Sequence, residues 1–418
     1  MVQTRVQLPR EPQRDVGRLL RASLPAQVRD DVLAERQMSV VFDIPDRGAW
    51  VVRTGFGTVT VGTDIPAHPA ATVTADLSAL APVLAGECTL VEAFLTGGVR
   101  VRGSMAAVLA LGGILVPAAD LPARARMCKA PVFGVRTAYL EAGRREWPPV
   151  VLVHGLGASN SSMLPILAEL ATQYRVLAPD MPGFGSSDAP NWDYDPVQLQ
   201  RWLLAFLDTV GATGAIVIGH SLGGRVALEL ALHEPGIVGA LVLLCPALAP
   251  RPRPLTALAR RLPVDLARLP IAFPHRLLHQ GTREAYRALF ADPDRVPRHW
   301  FDAAADEWEI TLRDGSHRRA LWSATLGLYL DQTCRKETWW SRLAEMAVPT
   351  LCVWGECDPL VPAECARHVT DSAPQLRSVI LPDCGHLPQF EWPDTTGALI
   401  GDFLTHHACR DRTTAKAG

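Results

Sequence analysis

The pentapeptide Gly219-His220-Ser221-Leu222-Gly223 has the residue types and the spacing of a serine nucleophile held on a sharp strand-to-helix turn. The apolar run Ile216-Val217-Ile218 before it predicts a strand, and the sequence from Gly224 predicts a helix. On such a turn the serine backbone is strained, and the flanking glycines avoid side-chain collisions. The pattern therefore predicts Ser221 as a nucleophile, and the simpler interpretation is a serine that caps a helix.

A serine nucleophile needs two partners. Serine is weakly nucleophilic at its ordinary pKa, so a neighbouring imidazole must accept its proton, and a carboxylate on the other ring nitrogen stabilises the resulting imidazolium. His386 is the candidate base, because its unperturbed pKa suits proton exchange near neutrality. Candidate carboxylates occur at Glu356, Asp358 and Asp383.

Four further segments accompany the pentapeptide: Val153-His154-Gly155-Leu156-Gly157, Asp180 to Ser187, Trp354 to Pro362, and Cys384-Gly385-His386. Together with the pentapeptide they resemble the α/β-hydrolase superfamily over residues 130–408, in that family's order of Ser, Asp and His. The first segment resembles the family's oxyanion loop and the second its glycine loop. The last two resemble the segments that carry its acid and its base.

This resemblance implies a role for each candidate residue. Ser221 would be the nucleophile, His386 its base and Asp358 the acid that orients the base. The backbone N–H groups of Leu156 and Leu222 would form the oxyanion hole.

Asp358 directly precedes the proline turn, as the family requires, whereas Glu356 does not. The position where some relatives carry the acid reads Leu244-Cys245-Pro246, without a carboxylate, and Asp383 fits a turn residue. His154 and His220 are expected to be structural, and Glu391 to cap a helix. The strand-to-helix turn that carries Ser221 is called the nucleophile elbow. A serine at this position distinguishes the chain from haloalkane dehalogenases and epoxide hydrolases, which use aspartate. No metal or other cofactor is expected.

Apolar strand-like runs alternate with helical stretches beyond residue 131, which predicts an α/β fold with a doubly wound, mostly parallel sheet. Residues 247–346 interrupt this alternation with helical sequence, which predicts a cap inserted over the sheet. Residues 409–418 are expected to form a tail.

The first part of the chain follows a different pattern. An amphipathic helix is predicted over 15–36, followed by short strands and helices of a small α+β domain. The run from Glu92 to Met105, with its Ala-Phe step, glycine turn and Val-Arg alternation, resembles the sterol carrier protein type 2 domain over roughly residues 30–118. This resemblance implies an apolar tunnel for acyl chains or sterols, lined by the helix from Met105.

The predicted domains are therefore a lipid-binding unit at 1–120, a linker at 121–131 and a hydrolase unit at 132–408. Both units are expected to be separable.

The net charge of -2 and the pI near 6.6 give no reason to expect nucleic acid as a partner. The longest apolar run, Met105 to Pro117, is short of the roughly 20 residues of a membrane span. Unpaired cysteine spacing and a polar start indicate a cytoplasmic protein.

These features together predict a serine hydrolase for a small-molecule or lipid substrate: an ester, thioester or lactone with an apolar acyl part, cleaved through an acyl-serine intermediate. Two alternatives use the same residues, namely C–C bond hydrolysis and acyl transfer to an acceptor other than water. A third is a lipid carrier with an ancillary hydrolase domain.

Overall fold

Two β-sheets organise the chain, one in each half. The computed structural model describes residues 16–28, 37–45, 47–117, 120–248, 275–330 and 337–414. The first sheet has five strands in the order β3-β2-β1-β4-β5, in which β1 and β4 are parallel and the other neighbours antiparallel. The elements of this N-terminal domain are α1 (Val16–Ser23), β1 (Met38–Ile44), β2 (Gly48–Gly55), β3 (Thr58–Gly62), β4 (Ala71–Ala75), α2 (Leu77–Ala85), α3 (Leu90–Leu95), β5 (Val99–Gly103) and α4 (Met105–Gly112).

Local sequence explains the elements nearest to the second domain. In β5 the alternation buries Val99 and Val101 and exposes the arginines between and after them, as a strand with one covered face requires. Helix α3 begins at a capping box, in which Thr89 and Glu92 accept each other's backbone amides. Ser104 caps α4 by accepting the Ala107 amide.

The helix predicted over 15–36 is shorter in the structure. Helix α1 ends at Ser23, because Pro25 follows closely and disfavours helical backbone in the residue before it. Gln27 instead forms a β-bridge with Thr58. Residues 29–36 of the predicted helix lie outside the described residues.

The second sheet has eight strands in the order β13-β12-β11-β10-β8-β9-β7-β6. Strands β6, β7 and β9 pair antiparallel, and the other neighbours are parallel, which confirms the mostly parallel sheet predicted from sequence. The elements of this C-terminal domain outside the cap are β6 (Arg126–Val132), β7 (Val135–Ala142), β8 (Pro149–Val153), a 3-10 turn (Asn160–Met163), α5 (Leu164–Leu170), β9 (Arg175–Pro179), α6 (Pro196–Thr209), β10 (Ile216–His220), α7 (Leu222–His233), β11 (Ala240–Leu244), β12 (Thr350–Gly355), α12 (Glu364–Ser372), β13 (Arg377–Leu381), α13 (Pro388–Glu391) and α14 (Pro393–Thr414).

The sequence predicts a cap at residues 247–346; the segment between β11 and β12, called the cap below, is helical in its described part. It comprises α8 (His275–Arg287), α9 (Arg298–Arg313), α10 (Gly315–Leu330) and α11 (Glu337–Ala344). Within the described ranges, no helix has both the length and the apolar character that a membrane crossing requires.

The predicted domain borders differ from the structure at two places. Strand β6 begins at Arg126, so residues 126–131 of the expected linker belong to the sheet, where they pair with β7. Strand β6 is joined to β7 by a turn at Phe133 and Gly134, with φ of 50° and 77°. Helix α14 continues to Thr414, into the expected tail.

One cluster of buried apolar side chains extends through both domains. It joins Val101 and Leu111 of the N-terminal domain to Met127, Leu164 and Phe403 of the C-terminal domain. Apolar burial of this kind is the main favourable term in domain association. The expectation that the two halves fold separately stays a prediction.

Candidate active site

Ser221 lies on the turn between β10 and α7, with φ 51° and ψ −115°. A side chain on either flanking glycine would collide with backbone: a Cβ on Gly219 would lie 2.5 Å from the Gly223 carbonyl oxygen, and one on Gly223 would lie 2.3 Å from that of Val153. The turn is held by the Ser221 N–H, which donates to the Leu244 carbonyl at 2.9 Å. The strand-turn-helix geometry expected from the pentapeptide is thus present.

His386 and Asp358 form a buried hydrogen-bonded pair. The Nδ1 atom of His386 lies 2.6 Å from the Oδ2 atom of Asp358, and each residue is 3% exposed. The other carboxylate oxygen accepts the N–H groups of Leu360 and Val361 at 2.7 and 2.9 Å. Burial opposes ionisation of Asp358, but His386 and these amides outweigh it and lower the pKa of the carboxyl.

The other two candidate carboxylates lie elsewhere. Glu356 and Asp383 are both exposed, and Glu356 accepts the Asp383 N–H at 3.3 Å. The structure therefore brings Asp358, and neither of these, against His386.

The two predicted oxyanion donors belong to segments next to Ser221. Leu222 is the first residue of α7, and Leu156 follows Gly155, which packs directly on the nucleophile. A Cβ on Gly155 would lie 3.2 Å from the Ser221 Cβ. Ser221, Leu156 and His386 all line one cavity.

Two further histidines hold the surrounding loops. The Nε2 atom of His154 accepts the Met181 N–H at 2.9 Å, and its Nδ1 lies 2.8 Å from the Gly155 carbonyl oxygen. The Nε2 atom of His220 lies 2.8 Å from the carbonyl oxygen of His386. Burial lowers the pKa of His154 to about 4 and that of His220 to about 3, so both rings are neutral near pH 7.

Cys245, Asp358 and His386 place donor atoms within 4.8 Å of one another, a spacing that could hold a metal ion. Metal binding requires the thiolate. Burial and the nearby Asp358 raise the pKa of the Cys245 thiol well above its ordinary value, which disfavours that form. These donors fit the hydrogen-bonded pair better than a metal site.

The cavity has a volume of about 620 Å³, within the range of small-molecule sites. Its wall is mostly apolar, and the cap contributes aromatic side chains such as Trp300, Phe301 and Trp308. Of the wall residues that the structure describes, none is Arg or Lys, whereas two are acidic: Glu307 from the cap and Asp180 from the glycine loop.

Glu307 is a half-buried carboxylate that sequence reasoning missed. Its Oε2 atom accepts the hydroxyls of Ser159 and Ser161 at 2.5 and 3.0 Å. Burial raises the pKa of Glu307, and these hydroxyls only partly oppose the rise. Burial likewise raises the pKa of Asp180 to about 7, although it accepts the Ser186 and Asn160 amides.

Glu391 has a different role from the helix cap expected from sequence. Its carboxylate accepts the Gly385 N–H at 2.7 Å and the Asp292 N–H at 2.8 Å. It thereby connects the loop before His386 to the cap. The His386 N–H also donates to a cap residue, the Leu289 carbonyl, at 2.7 Å.

Comparison with known proteins agrees with this architecture. Residues 150–398 match the model of the alpha/beta hydrolase family, and residues 18–116 match that of the SCP-2 sterol transfer family. A 2-hydroxy-6-oxo-6-(2'-aminophenyl)hexa-2,4-dienoic acid hydrolase of Metapseudomonas resinovorans is 30% identical over 293 residues, 68% of this chain and 92% of the relative.

Solved structures share the fold. The enol-lactonase from Burkholderia xenovorans is 24% identical with a TM-score of 0.54, over 66% of this chain and 99% of that one. A bacterial membrane phospholipase A is 22% identical with a TM-score of 0.56, over 79% of this chain and 96% of that one. The chain is therefore a hydrolase that belongs to the alpha/beta hydrolase family and carries an SCP-2 sterol transfer domain before its catalytic domain.

Proposed function

We propose that the protein hydrolyses an uncharged ester, thioester or lactone with an apolar acyl part through an acyl-Ser221 intermediate. The Ser221 hydroxyl attacks the acyl carbon while His386 takes its proton, and the N–H groups of Leu156 and Leu222 stabilise the oxyanion. His386 then protonates the leaving alcohol or thiol. Water, deprotonated by His386, releases the acid and restores Ser221.

The observation that carries this proposal is the 2.6 Å contact between His386 and Asp358 at the wall of the cavity that Ser221 also lines. The hydrogen bond to Asp358 orients the imidazole and favours its protonated form during the reaction. A mostly apolar cavity of about 620 Å³ suits an acyl chain rather than a small polar group.

The acidic wall favours an uncharged substrate over an anionic one. A substrate carboxylate would share the cavity with Glu307 and Asp180, and the described wall offers no Arg or Lys as a counter-ion. A buried charge without a partner is costly. This argues against a dienoic acid substrate like that of the Metapseudomonas resinovorans relative.

C–C bond hydrolysis is the second candidate, because that relative, 30% identical to this chain, is named for a 2-hydroxy-6-oxo-dienoic acid. Acyl transfer and lipid carriage remain as further alternatives. Product analysis separates these four functions. Ester hydrolysis gives an acid and an alcohol, and C–C bond hydrolysis of a diketone gives two carbon fragments. Acyl transfer gives a new ester, and lipid carriage gives no product.

Fluorophosphonate labelling tests the nucleophile. The full-length protein should be labelled and should hydrolyse p-nitrophenyl butyrate, and Ser221→Ala should lose both activities while keeping its circular dichroism spectrum. Ser323→Ala is the matched control, because its hydroxyl donates to the Asp193 carbonyl and it does not line the cavity. Labelling of the Ser221→Ala variant would refute the assignment.

A further inference from the structure

The N-terminal domain forms part of the wall of the catalytic cavity. Phe94, near the end of α3, and Ser104, Met105 and Ala106, at the start of α4, line the same cavity as Ser221 and His386. Later on α4, the buried side chains of Val108, Leu109 and Leu111 do not line the cavity. The sequence predicted that this helix lines a tunnel, and its first turn does face a cavity, but one that belongs to both domains.

A row of aromatic rings joins this wall to the His386 loop. Phe94 stacks on Trp300 of the cap with centroids 6.2 Å apart, and the Trp300 indole N–H donates to the Phe94 carbonyl at 3.2 Å. Trp300 in turn meets Phe390, in the segment after His386, with centroids 5.1 Å apart. All three rings line the cavity, so its apolar surface is continuous from the N-terminal domain to the catalytic loop.

Polar contacts fix the position of the first turn of α4. Arg102 and the Gly103 N–H both contact Asp306 of α9, at 2.7 Å each. The next cap residue, Glu307, faces the cavity. Met105 is thus held near Glu307, whose carboxylate accepts two serine hydroxyls and forms the polar part of the cavity wall.

From this arrangement we propose that the N-terminal domain sets the acyl-chain length that the enzyme accepts, with Phe94, Met105 and Ala106 as the residues that contact the chain. The proposal rests on the proposed function. The two domains then share a single cavity, in which the N-terminal domain binds the lipid chain and the C-terminal domain cleaves the ester.

Filling the wall at α4 tests the proposal in the full-length protein. Ala106→Phe places a ring in the cavity, so kcat/KM for p-nitrophenyl dodecanoate should fall on the order of tenfold relative to p-nitrophenyl acetate. Ala81→Phe is the matched control, because Ala81 is a half-buried alanine of the same domain that does not line the cavity. Met105→Ala enlarges the cavity and should shift the preferred chain to greater length.

Binding to the Ser221→Ala protein gives a readout that is independent of turnover. The probe is a neutral dodecyl chain that carries a nitrobenzoxadiazole fluorophore, and Ala106→Phe should weaken its binding while Ala81→Phe should not. Binding that weakens in this way, without turnover of any ester by the wild-type protein, would refute the proposed function and support the shared wall. Ester turnover with the same chain-length profile and probe affinity in Ala106→Phe and wild-type proteins would refute the shared wall alone.

Discussion

Arg102 of the N-terminal domain and Asp306 of the cap form a two-point ion pair. The Nε atom of Arg102 lies 2.7 Å from Oδ2 of Asp306, and its Nη2 atom lies 3.1 Å from Oδ1. Asp306 is 7% exposed and also accepts the Gly103 N–H. A planar guanidinium that meets a carboxylate at two points gives geometric specificity as well as energy, so this pair fixes one domain against the other.

Removal of this carboxylate should loosen the domain interface. Asp306→Ala removes the carboxylate that Arg102, the Gly103 amide and His279 all contact, at an expected loss of about 1–3 kcal/mol in the free energy of unfolding. Asp302→Ala, on the same helix, removes a more exposed carboxylate, which lies 3.4 Å from Arg283, and should cost about 1 kcal/mol or less. Urea unfolding followed by circular dichroism measures both, and equal losses would contradict the role of Asp306.

Asp358→Asn should lower kcat by about 10⁴-fold, because asparagine does not stabilise the imidazolium and favours the wrong tautomer of His386. Glu356→Gln and Asp383→Asn are matched controls, since both residues are exposed and neither contacts His386 in the structure. Each should keep kcat within tenfold of wild type. Steady-state kinetics of the three variants decides the assignment, and a larger loss in Glu356→Gln would show that the wrong carboxylate was chosen.

A carboxylate at position 245 should partly replace Asp358. The donor atoms of Cys245, Asp358 and His386 lie within 4.8 Å of one another, and the φ of 43° at Cys245 is a conformation that aspartate and asparagine tolerate. In the Asp358→Asn protein, Cys245→Asp should therefore restore kcat roughly tenfold or more, as charge close to the imidazole returns. Cys245→Asn in the same background is the uncharged control. Equal kcat values in the two double variants would show that a carboxylate at position 245 does not replace that of Asp358.

Glu307 should make the enzyme reject anionic acyl chains. Wild-type kcat/KM should be roughly tenfold or more lower for mono-p-nitrophenyl glutarate than for p-nitrophenyl pentanoate, which has the same chain length without the charge. Glu307→Gln should reduce the ratio of kcat/KM for pentanoate to kcat/KM for the glutarate ester. An unchanged ratio would mean that the Glu307 charge does not act on the substrate.

The same ratio should depend on pH. Burial raises the pKa of Asp180 to about 7, so this carboxylate takes up a proton as the pH falls from about 8 to about 6; burial also raises the pKa of Glu307. The glutarate carboxylate stays ionised over this range, and a loss of rate that is common to both substrates cancels in the ratio. The wild-type preference for pentanoate should therefore weaken towards pH 6, whereas a constant preference would show that Asp180 does not titrate there.

Sequence reasoning was most successful where structure is local. The elbow around Ser221 and the mostly parallel sheet follow from glycine spacing and from short apolar runs, which fix turns and buried strands with little help from distant residues. Domain edges were less predictable. Arg126 begins a strand because it pairs with Glu141 in β7, and a single sequence does not reveal that partner.

The cavity wall was beyond prediction for a related reason. Phe94 comes from α3 of the N-terminal domain, whereas Trp300 and Glu307 come from α9 of the cap, and none of the three differs in type from an ordinary core or surface residue. They line one cavity because the cap packs on both domains. No rule of residue spacing in the sequence predicts that packing. Glu307 could have been noted only as an acidic residue among the aromatic ones of the cap.

A cavity walled by two domains has a thermodynamic consequence. A ligand that fills it binds only the assembled arrangement, so occupancy stabilises the association of the domains as well as their folds. At a free ligand concentration of one hundred times Kd, this linkage contributes about 2.7 kcal/mol. The concentration of lipid would then affect the lifetime of the folded protein as well as its rate of turnover, because the two domains would separate more often in the empty protein than in the ligand-bound one.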